Sequence, residues 1–395
     1  MSESGFSTAL DTLKEHLVGY DAGIEQFKLA LLTGRHQLLV GRPGRGKSYP
    51  ARLFLGAIRG ARVFRTQITA YTLPDHLVGA PIPQIYLHEG RQVYNTEKGL
   101  LDCDLALLEE FTDGPVALAR SLNTILYERL FEVKDQPPLP AALHCAILTA
   151  NTAPRGEEWR AVWSRIAFRF TPPETAAPWS RFQTAQVYLR TRGQAPPLGL
   201  VDLEEVRALS CRRESLEVAP GALLALSWVS GEFHRRCQED TRLGRSGLFA
   251  SDLRRDNLFL DVVRAGAVLE GRPRADYSLL RRYLPYALPC GDEEDGLAAR
   301  AILLETLDKI LPAKMSRDDL ALYDALGDLA QQILAYQRDP GRAPGEFRLR
   351  LPGMPTIFAA RRELLGHLGR VRGVSGAECL IAVLRQALAA AEEEA

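Results

Sequence analysis

Short apolar runs alternate with helical patterns over the first 170 residues of the chain. Runs with strand character lie at residues 37–40, 105–108 and 145–149. Helical periodicity covers residues 7–34, residues 47–58 and the stretch that follows Pro115. Short apolar strands separated by helices are typical of a parallel sheet with helices on both faces. The pattern therefore predicts an α/β fold for this half.

Two intervening segments are less regular. Residues 63–98 mix β-branched residues with several prolines and glycines, which predicts a strand followed by loops or a small hairpin. Residues 130–133 and 139–143 flank a proline-rich turn, and this arrangement predicts a second hairpin.

The second half of the chain is helical in pattern from Pro178 onward, apart from residues 347–352. Breaks fall at residues 194–197 and at an acidic stretch over residues 289–295. We therefore expect an αβα domain over residues 1–190, an all-helical domain over 191–290, and a mainly helical region of unknown role over 291–395.

One motif between the first strand and the next helix has the spacing of a phosphate-binding loop. Residues 41–48 read G-R-P-G-R-G-K-S and fit G-x-x-x-x-G-K-[ST]. Backbone N–H groups of such a loop surround phosphate oxygens, Lys47 reaches the outer phosphates, and Ser48 can bind Mg²⁺. The residues expected to contact the nucleotide are Arg42, Pro43, Gly44, Arg45, Gly46, Lys47, Ser48 and Tyr49.

The two arginines of this loop could lie near phosphate, but we expect Arg42 and Arg45 to face solvent. Side chains of the loop can point away while its N–H groups bind the ligand. No N-K-x-D sequence follows the loop, so the usual guanine-reading motif is absent from the chain.

A pair of acidic residues ends the apolar run at residues 105–108. In this arrangement Glu109 would position Mg²⁺, and Glu110 would polarise the water that attacks the γ-phosphate. Asp is usual at the first position. The extra methylene of Glu109 moves its carboxylate by about 1.5 Å, enough to weaken contacts to the metal. The alternative is a strand end that only turns acidic at the surface.

Two later elements complete the constellation. Asn151 ends the strand at residues 145–149 and could orient the attacking water. Arg165, or Arg169 one turn later, could reach across a subunit boundary to a neighbour's γ-phosphate. Alone, each would be a structural or surface residue, but the order and spacing of all four elements favour the catalytic reading.

The composition limits the classes of partner. The chain has 395 residues, 46% of them hydrophobic, with 49 basic and 49 acidic side chains. Zero net charge argues against a protein that coats nucleic acid by bulk positive charge. We see no signal-peptide pattern and no apolar run of 18 residues, so we expect a cytoplasmic protein without membrane insertion. Six scattered cysteines lack metal-site spacing.

These motifs together resemble the AAA+ ATPases, and within them the MoxR branch with its RavA-like members. The resemblance covers about residues 15–290. Six motifs carry the resemblance. They are an adenine-side segment at residues 17–20 with Val18 and Gly19, Walker A at 41–48, Walker B at 107–110, sensor 1 at 149–154, an arginine finger at 163–165, and a sensor 2 arginine within 251–255. Ser164 replaces the Asp that precedes the finger in the family. Arg254 is our choice for sensor 2, with Arg255 as the alternative.

Two insertions narrow the resemblance to the MoxR branch. Residues 65–101 resemble the insertion within the second helix, and residues 122–132 resemble the helix and hairpin that precede sensor 1. In the family these elements face the central channel or the partner-docking side of a ring. The resemblance therefore implies a six-membered ring with ATP and Mg²⁺ bound between subunits.

The implied function is an ATP-hydrolysing, chaperone-like remodeller of a partner protein, working with a von Willebrand A (vWA) domain protein. No D-x-S-x-S metal motif occurs in this chain, so that partner would be a separate polypeptide. The residues implied to be catalytic are Glu110, Asn151, Arg165 and Arg254, and those implied to bind the metal are Ser48 and Glu109. Two alternatives stay open: a nucleic-acid-linked or defence-system AAA+ ATPase, and an ATP-gated scaffold with weak hydrolysis.

Overall fold

A computed structural model defines the fold of most of the chain. It describes residues 3–133, 136–154, 157–174, 178–192, 196–246, 249, 252–311, 315–338, 346–352, 355–368, 371 and 376–393. Ser251 and part of the predicted break at residues 194–197 lie outside the described residues. None of the described helices is long and apolar enough to cross a membrane.

The elements are named here in chain order. The helices are α1 (Glu3–Asp11), α2 (Asp21–Thr33), α3 (Ser48–Gly56), α4 (Pro74–Val78), α5 (Pro83–Glu89), α6 (Val116–Glu128), α7 (Glu157–Trp163), α8 (Pro178–Thr191), α9 (Leu203–Ser215), α10 (Pro220–Glu239), α11 (Leu243–Ser246), α12 (Leu253–Leu269), α13 (Tyr277–Tyr283), α14 (Glu294–Ile310), α15 (Arg317–Arg338), α16 (Arg361–Leu368) and α17 (Ala377–Glu393). The strands are β1 (Gln37–Val40), β2 (Ile58–Arg59), β3 (Val63–Gln67), β4 (Leu105–Glu109), β5 (Leu130–Phe131), β6 (Leu139–Pro140), β7 (Cys145–Ala150), β8 (Phe168–Thr171), β9 (Val201–Asp202), β10 (Glu217–Val218), β11 (Arg274–Ala275), β12 (Cys290–Gly291), β13 (Phe347–Leu349) and β14 (Ile357–Ala359).

Six parallel strands form the central sheet, in the order β12-β8-β1-β7-β4-β3. Successive residues of β1 contribute to two cores: Leu39 packs toward α2 and α3, and Leu38 packs toward α6 and α7. Both faces are thus covered, which explains why the strands are apolar throughout. The predicted α/β class and its three apolar strands are confirmed.

Two strands of the sheet carry no clear signal in the sequence. In β8 the buried Arg169 interrupts the apolar pattern, and its charge is satisfied by Glu293 at 3.0 Å. The other strand, β12, is only two residues long, too short to produce a period. It pairs with β8 at the acidic break that was predicted from the sequence. The chain therefore returns to the central sheet after the helices that follow β8.

The prediction of loops or a hairpin for residues 63–98 is wrong in part. After β3 the chain forms the short helices α4 and α5, with Pro74 and Pro83 at their first turns. Proline is favoured at the first helical position because its φ is already helical. An N–H at that position has no partner within the helix, so nothing is lost by its absence. The prolines that suggested loops in the sequence therefore begin helices in the structure. An antiparallel bridge between Pro81 and Tyr94 is the part of the hairpin that is present.

Two other local predictions can be compared with the structure. The single helix predicted over residues 7–34 is broken between α1 and α2, where Gly19 adopts a left-handed φ of 74°. Its predicted end at Gly34 is confirmed by a left-handed cap with φ of 61°. The hairpin predicted over residues 130–143 is confirmed by the antiparallel pair β5–β6.

The C-terminal helices pack on the preceding helical region. Helix α10 contacts α14, α15 and α17, and these elements share one hydrophobic core. Where α10 crosses α15, a Cβ on Gly327 would lie 2.1 Å from the backbone nitrogen of Gly221. Only glycine allows the two helices to approach this closely. This close packing favours the C-terminal region as an extension of the helical region, while the boundaries at 190 and 290 stay predictions.

Candidate functional site

The phosphate-binding loop follows β1 at the carboxyl end of the sheet, and α3 begins at Ser48. Gly44 and Gly46 have left-handed φ values of 85° and 70°, which other residues rarely adopt. The hydroxyl of Tyr20 donates to the carbonyl oxygen of Gly46 at 2.9 Å. This contact fixes the loop through a residue that lies outside the motif. Burial raises the pKa of Tyr20, so its hydroxyl stays protonated and can donate.

Lys47 links the loop to the neighbouring strand. Its Nζ donates to Oδ1 of Asn151 at 2.9 Å and to the carbonyl oxygens of Gly41 and Arg42. Burial lowers the pKa of Lys47, and the carboxylate of Glu110 opposes that change. Two residues 104 positions apart in sequence are therefore in direct contact, because β1 and β7 are adjacent strands.

Glu110 adopts a left-handed backbone conformation with φ of 55° directly after β4. This conformation is strained for a residue with a Cβ, and such strain concentrates at functional sites. The Glu110 N–H donates to Oγ1 of Thr149 at 3.2 Å. Its Oε2 is buried and has no hydrogen-bond partner among the described residues. A buried carboxylate oxygen without a donor is costly, and a water molecule would satisfy it.

Glu109, the last residue of β4, points toward α3. Its Oε2 lies 3.4 Å from Nη2 of Arg52, one helical turn after Ser48. The Glu109 side chain is 19% exposed, so the pair lies at the edge of the site. Ser48 and Glu109 present a hydroxyl and a carboxylate, ligands of the type that Mg²⁺ prefers. The chemistry of these two residues therefore fits the predicted metal.

A cavity of about 880 Å³ extends from the loop toward the connection between β8 and α8. Val18, Tyr20, Tyr49, Pro173 and Tyr188 line it together with residues 42–46. A Cβ on Gly19 would lie 2.6 Å from Cγ of Pro173, so this wall requires glycine. The volume is typical of small-molecule sites, and the mixed apolar and polar lining suits a base and sugar.

The predicted solvent-facing position is correct for Arg42 but wrong for Arg45. Arg42 is exposed. The Arg45 side chain is 18% exposed, donates to the carbonyl oxygen of Pro172 at 3.2 Å and pairs with Glu174. The carboxylate of Glu174, on the opposite wall of the cavity, provides a partner that draws the guanidinium out of solvent.

The predicted arginines Arg165 and Arg254 lie elsewhere. Arg165 precedes β8, at the amino end of the sheet, and its Nη1 donates to the carbonyl oxygen of Ala161 at 2.7 Å. Burial and then the charge of Arg254 lower the pKa of Arg165. The Arg254 guanidinium stacks 5.1 Å from the ring centroid of Tyr127. Neither arginine lines the nucleotide cavity of its own chain.

The neighbouring arginines have structural partners. Arg169 is buried in β8, pairs with Glu293 and stacks 5.1 Å from the ring of Trp163. Arg255 stacks 5.3 Å from Phe249, and burial lowers its pKa to about 10. These placements favour Arg165 over Arg169 and Arg254 over Arg255 as functional residues.

Comparison with known proteins identifies the domain that carries this site. Residues 4–176 match the family model described as the MoxR domain in the MoxR-vWA-beta-propeller ternary systems. This part of the chain is similar to the MoxR family of AAA+ ATPases. The RavA-like branch stays a prediction.

Individual relatives agree with this identification. A segment of 134 residues is 28% identical to Chaperone MoxR1 of Mycobacterium tuberculosis and covers 34% of each protein, so the chain spans about a third of that relative. A crystal structure of a proposed ATPase from Cytophaga hutchinsonii has a TM-score of 0.58, with 16% identity. It covers 79% of this chain and 96% of that chain, which shows a shared fold.

Three contacts of the MoxR domain were missed by the sequence analysis. They are the Tyr20 hydroxyl on the loop, the Arg45–Glu174 pair and the Arg52–Glu109 pair. Of these residues, only Arg52 could have been placed near the site from the sequence, because it lies four residues after Ser48 and so shares its helical face. Tyr20 and Glu174 reach the loop through the tertiary fold alone.

Proposed function

We propose that the site binds ATP with Mg²⁺ and hydrolyses the γ-phosphate. The observation that carries this proposal is the buried Glu110 oxygen without a donor, close to Lys47 and Asn151. A structural carboxylate would normally be paired, whereas a general base needs a free lone pair for water. The match of residues 4–176 to the MoxR domain supports the same reaction.

Each residue then has a distinct task. The loop N–H groups and Lys47 would bind the phosphates, and Ser48 and Glu109 would hold Mg²⁺, which neutralises charge on the β- and γ-phosphates. When Lys47 turns from Asn151 to phosphate, the amide of Asn151 becomes free to orient the attacking water. Glu110 would accept the proton of that water as the water oxygen bonds to the γ-phosphorus and the bond from that phosphorus to the bridging oxygen breaks, which releases ADP and phosphate.

We further propose that Arg165 and Arg254 act on the nucleotide of a neighbouring subunit. Both lie at the amino end of the sheet, whereas the chain's own loop follows the carboxyl end of β1. The charge of Arg254 lowers the pKa of Arg165, and a triphosphate between the two arginines would relieve that repulsion. A ring of six subunits, as the resemblance implies, would bring the two ends together.

The biological role that we propose is chaperone-like remodelling of a partner protein in the cytoplasm, together with a separate vWA protein. The support is the description of the matched family, which places MoxR domains in systems with vWA proteins. The second candidate is an ATP-gated scaffold with slow turnover. It is favoured by the Arg52–Glu109 pair, since an acid engaged by arginine is a weaker metal ligand.

The two candidates can be separated by measuring hydrolysis and mass on the same sample. Light scattering with ATP, ADP or no nucleotide gives the oligomeric state, and phosphate release gives turnover. We expect turnover together with a roughly six-fold mass in ATP. Assembly in ATP without turnover would select the scaffold. A monomer that neither assembles nor hydrolyses ATP would contradict both proposals.

A further inference from the structure

A second cavity, of about 660 Å³, lies at the amino end of the central sheet. Its walls come from the turns before β1 and β7, the end of α6, and the helices α9 and α12. Arg35 precedes β1, whereas the phosphate-binding loop follows the same strand. The cavity is therefore separate from the nucleotide site of its own chain, and we call it the arginine pocket.

Basic side chains dominate this pocket. Its lining includes the arginines Arg35, Arg129, Arg207, Arg213 and Arg264, against the two acids Glu214 and Asp261. Asp261 pairs with both Arg35 at 3.2 Å and Arg213 at 2.5 Å. Glu214 pairs with Arg213 at 2.9 Å. Arg207 pairs with Asp104 at 2.8 Å and with Glu204 at 2.9 Å, outside the pocket lining. Among the described residues, the charges left without an acidic partner are therefore those of Arg129 and Arg264.

Arg129 and Arg264 form no ion pair in the part of the chain that the structure describes. Arg264 donates from Nε to the carbonyl oxygen of Leu216 at 3.0 Å and from Nη2 to that of Glu214. Arg129 donates to the carbonyl oxygens of Gly34, Leu126 and His144. Carbonyl oxygens satisfy N–H groups but do not neutralise a full positive charge. Arg213 is 6% exposed, and its Nε is buried without a hydrogen-bond partner among the described residues.

The titration behaviour agrees with an excess of positive charge. Burial, followed by the charges of Arg129, Arg207 and Arg213, lowers the pKa of His144. Burial and the charge of Arg213 lower the pKa of Arg264, and the opposite effects of Asp261 and Glu214 do not cancel that decrease. Positive groups held this close repel one another, and an anion among them would convert that repulsion into attraction.

We propose that the arginine pocket binds a compact, multiply charged oxyanion of the phosphate class. Guanidinium groups present planar forks of N–H donors that match phosphate oxygens in pairs. The donors come from the core, through Arg35, and from the helical region, through Arg213 and Arg264, while Arg129 adds a positive charge whose N–H groups already bind carbonyl oxygens. A bound anion therefore ties these two parts of the chain together. The inference goes beyond the proposed ATPase, since it involves none of the loop residues.

The test uses the full chain with Lys47→Ala, which removes the principal cation of the nucleotide site. Inorganic pyrophosphate is titrated calorimetrically into this protein, and we expect one ion to bind per chain. Arg264→Gln in the same background should weaken binding at least about tenfold, the loss expected for one charge-assisted contact of about 1.5 kcal/mol. Absence of pyrophosphate binding to the Lys47→Ala chain would overturn the proposal.

Matched variants distinguish weaker binding caused by a loss of positive charge from weaker binding caused by misfolding. Arg235→Gln changes an exposed arginine on α10 that pairs with two acids of its own helix, and it should leave binding unchanged. Arg264→Lys should recover part of the affinity. Ser210→Glu adds a carboxylate to the pocket wall while every arginine is kept, and it should weaken binding as Arg264→Gln does. If either Arg264→Gln or Ser210→Glu remains folded by circular dichroism and binds pyrophosphate as tightly as its parent, the proposal fails.

A competition arm identifies the source of the phosphate groups. ATP without Mg²⁺ is added to the Lys47→Ala chain at saturating pyrophosphate. Displacement would show that nucleotide phosphates occupy the arginine pocket, and no displacement would show a preference for a free anion. Both results support the shared oxyanion chemistry.

Discussion

The two ends of the central sheet are built in different ways. At the carboxyl end, the functional groups come from residues that directly follow β1, β4 and β7, and backbone geometry places them. At the amino end, arginines from the turn before β1, the end of α6, and the helices α9 and α12 meet through side chains alone. The comparison shows that adjacent strands position one site, whereas packing of separate helices on the sheet positions the other.

The two ends also differ in charge. The carboxyl end combines Glu109 and Glu110 with the buried amine of Lys47, a mixture that suits the proposed binding of Mg²⁺ and phosphate. The amino end holds a surplus of arginine, including Arg165 and Arg254 beside the arginine pocket. In the proposed ring these unlike ends meet across a subunit boundary. The predictions below test whether the two ends act separately or together.

Lys47→Ala should have the largest effect. It removes the buried amine that would contact the outer phosphates, so ATP affinity should fall by about 3 kcal/mol, roughly a hundredfold. Fluorescence titration with a labelled ATP analogue measures this loss. Unchanged affinity would show that the carboxyl end is not the nucleotide site.

Arg165→Ala should lower turnover about 1,000-fold and leave ATP affinity nearly intact, as expected for an arginine that acts on transition-state charge. Mixing this variant with Lys47→Ala chains should restore activity, because the Lys47→Ala subunit supplies its arginine to a competent neighbour. Mixed samples that stay inactive would contradict action between subunits. As a control, Arg169→Ala should lower the thermal stability instead, since it strands Glu293 in a half-buried position.

Glu110→Gln should lower turnover about 100-fold while ATP binding persists, because an amide cannot accept the proton of water. Single-turnover phosphate release measures the chemical step. The variant should also prolong the assembled state in ATP, which light scattering can follow. Turnover at the parent rate would show that water is activated by another group.

Glu109→Asp should have the smallest effect, a gain in turnover of about threefold, because a shorter carboxylate leaves Arg52 and shifts by about 1.5 Å toward the usual metal position. The half-saturating Mg²⁺ concentration should fall in parallel. Arg52→Gln, which frees Glu109 without shortening it, separates the two causes. A decrease in turnover for Glu109→Asp would show that the longer side chain already suits this site.

Much of the carboxyl end could be predicted from the sequence because its signals are local. The loop motif, the acid pair and Asn151 each follow an apolar strand, and Lys47 and Asn151 are indeed in contact. Arg45 shows where such prediction stops. Its partner Glu174 lies 129 residues away, and no local pattern indicates which of 49 acidic side chains an arginine will meet.

The α/β class, the apolar strands of the sheet and the loop motif could be predicted from local patterns, because hydrophobic period and glycine content are properties of contiguous residues. The tertiary structure alone decided that β12 joins the sheet, that Arg165 lies beside Arg254, and that five arginines line one pocket. Charge pairing carries no sequence period, and its partners are fixed only when distant segments pack together.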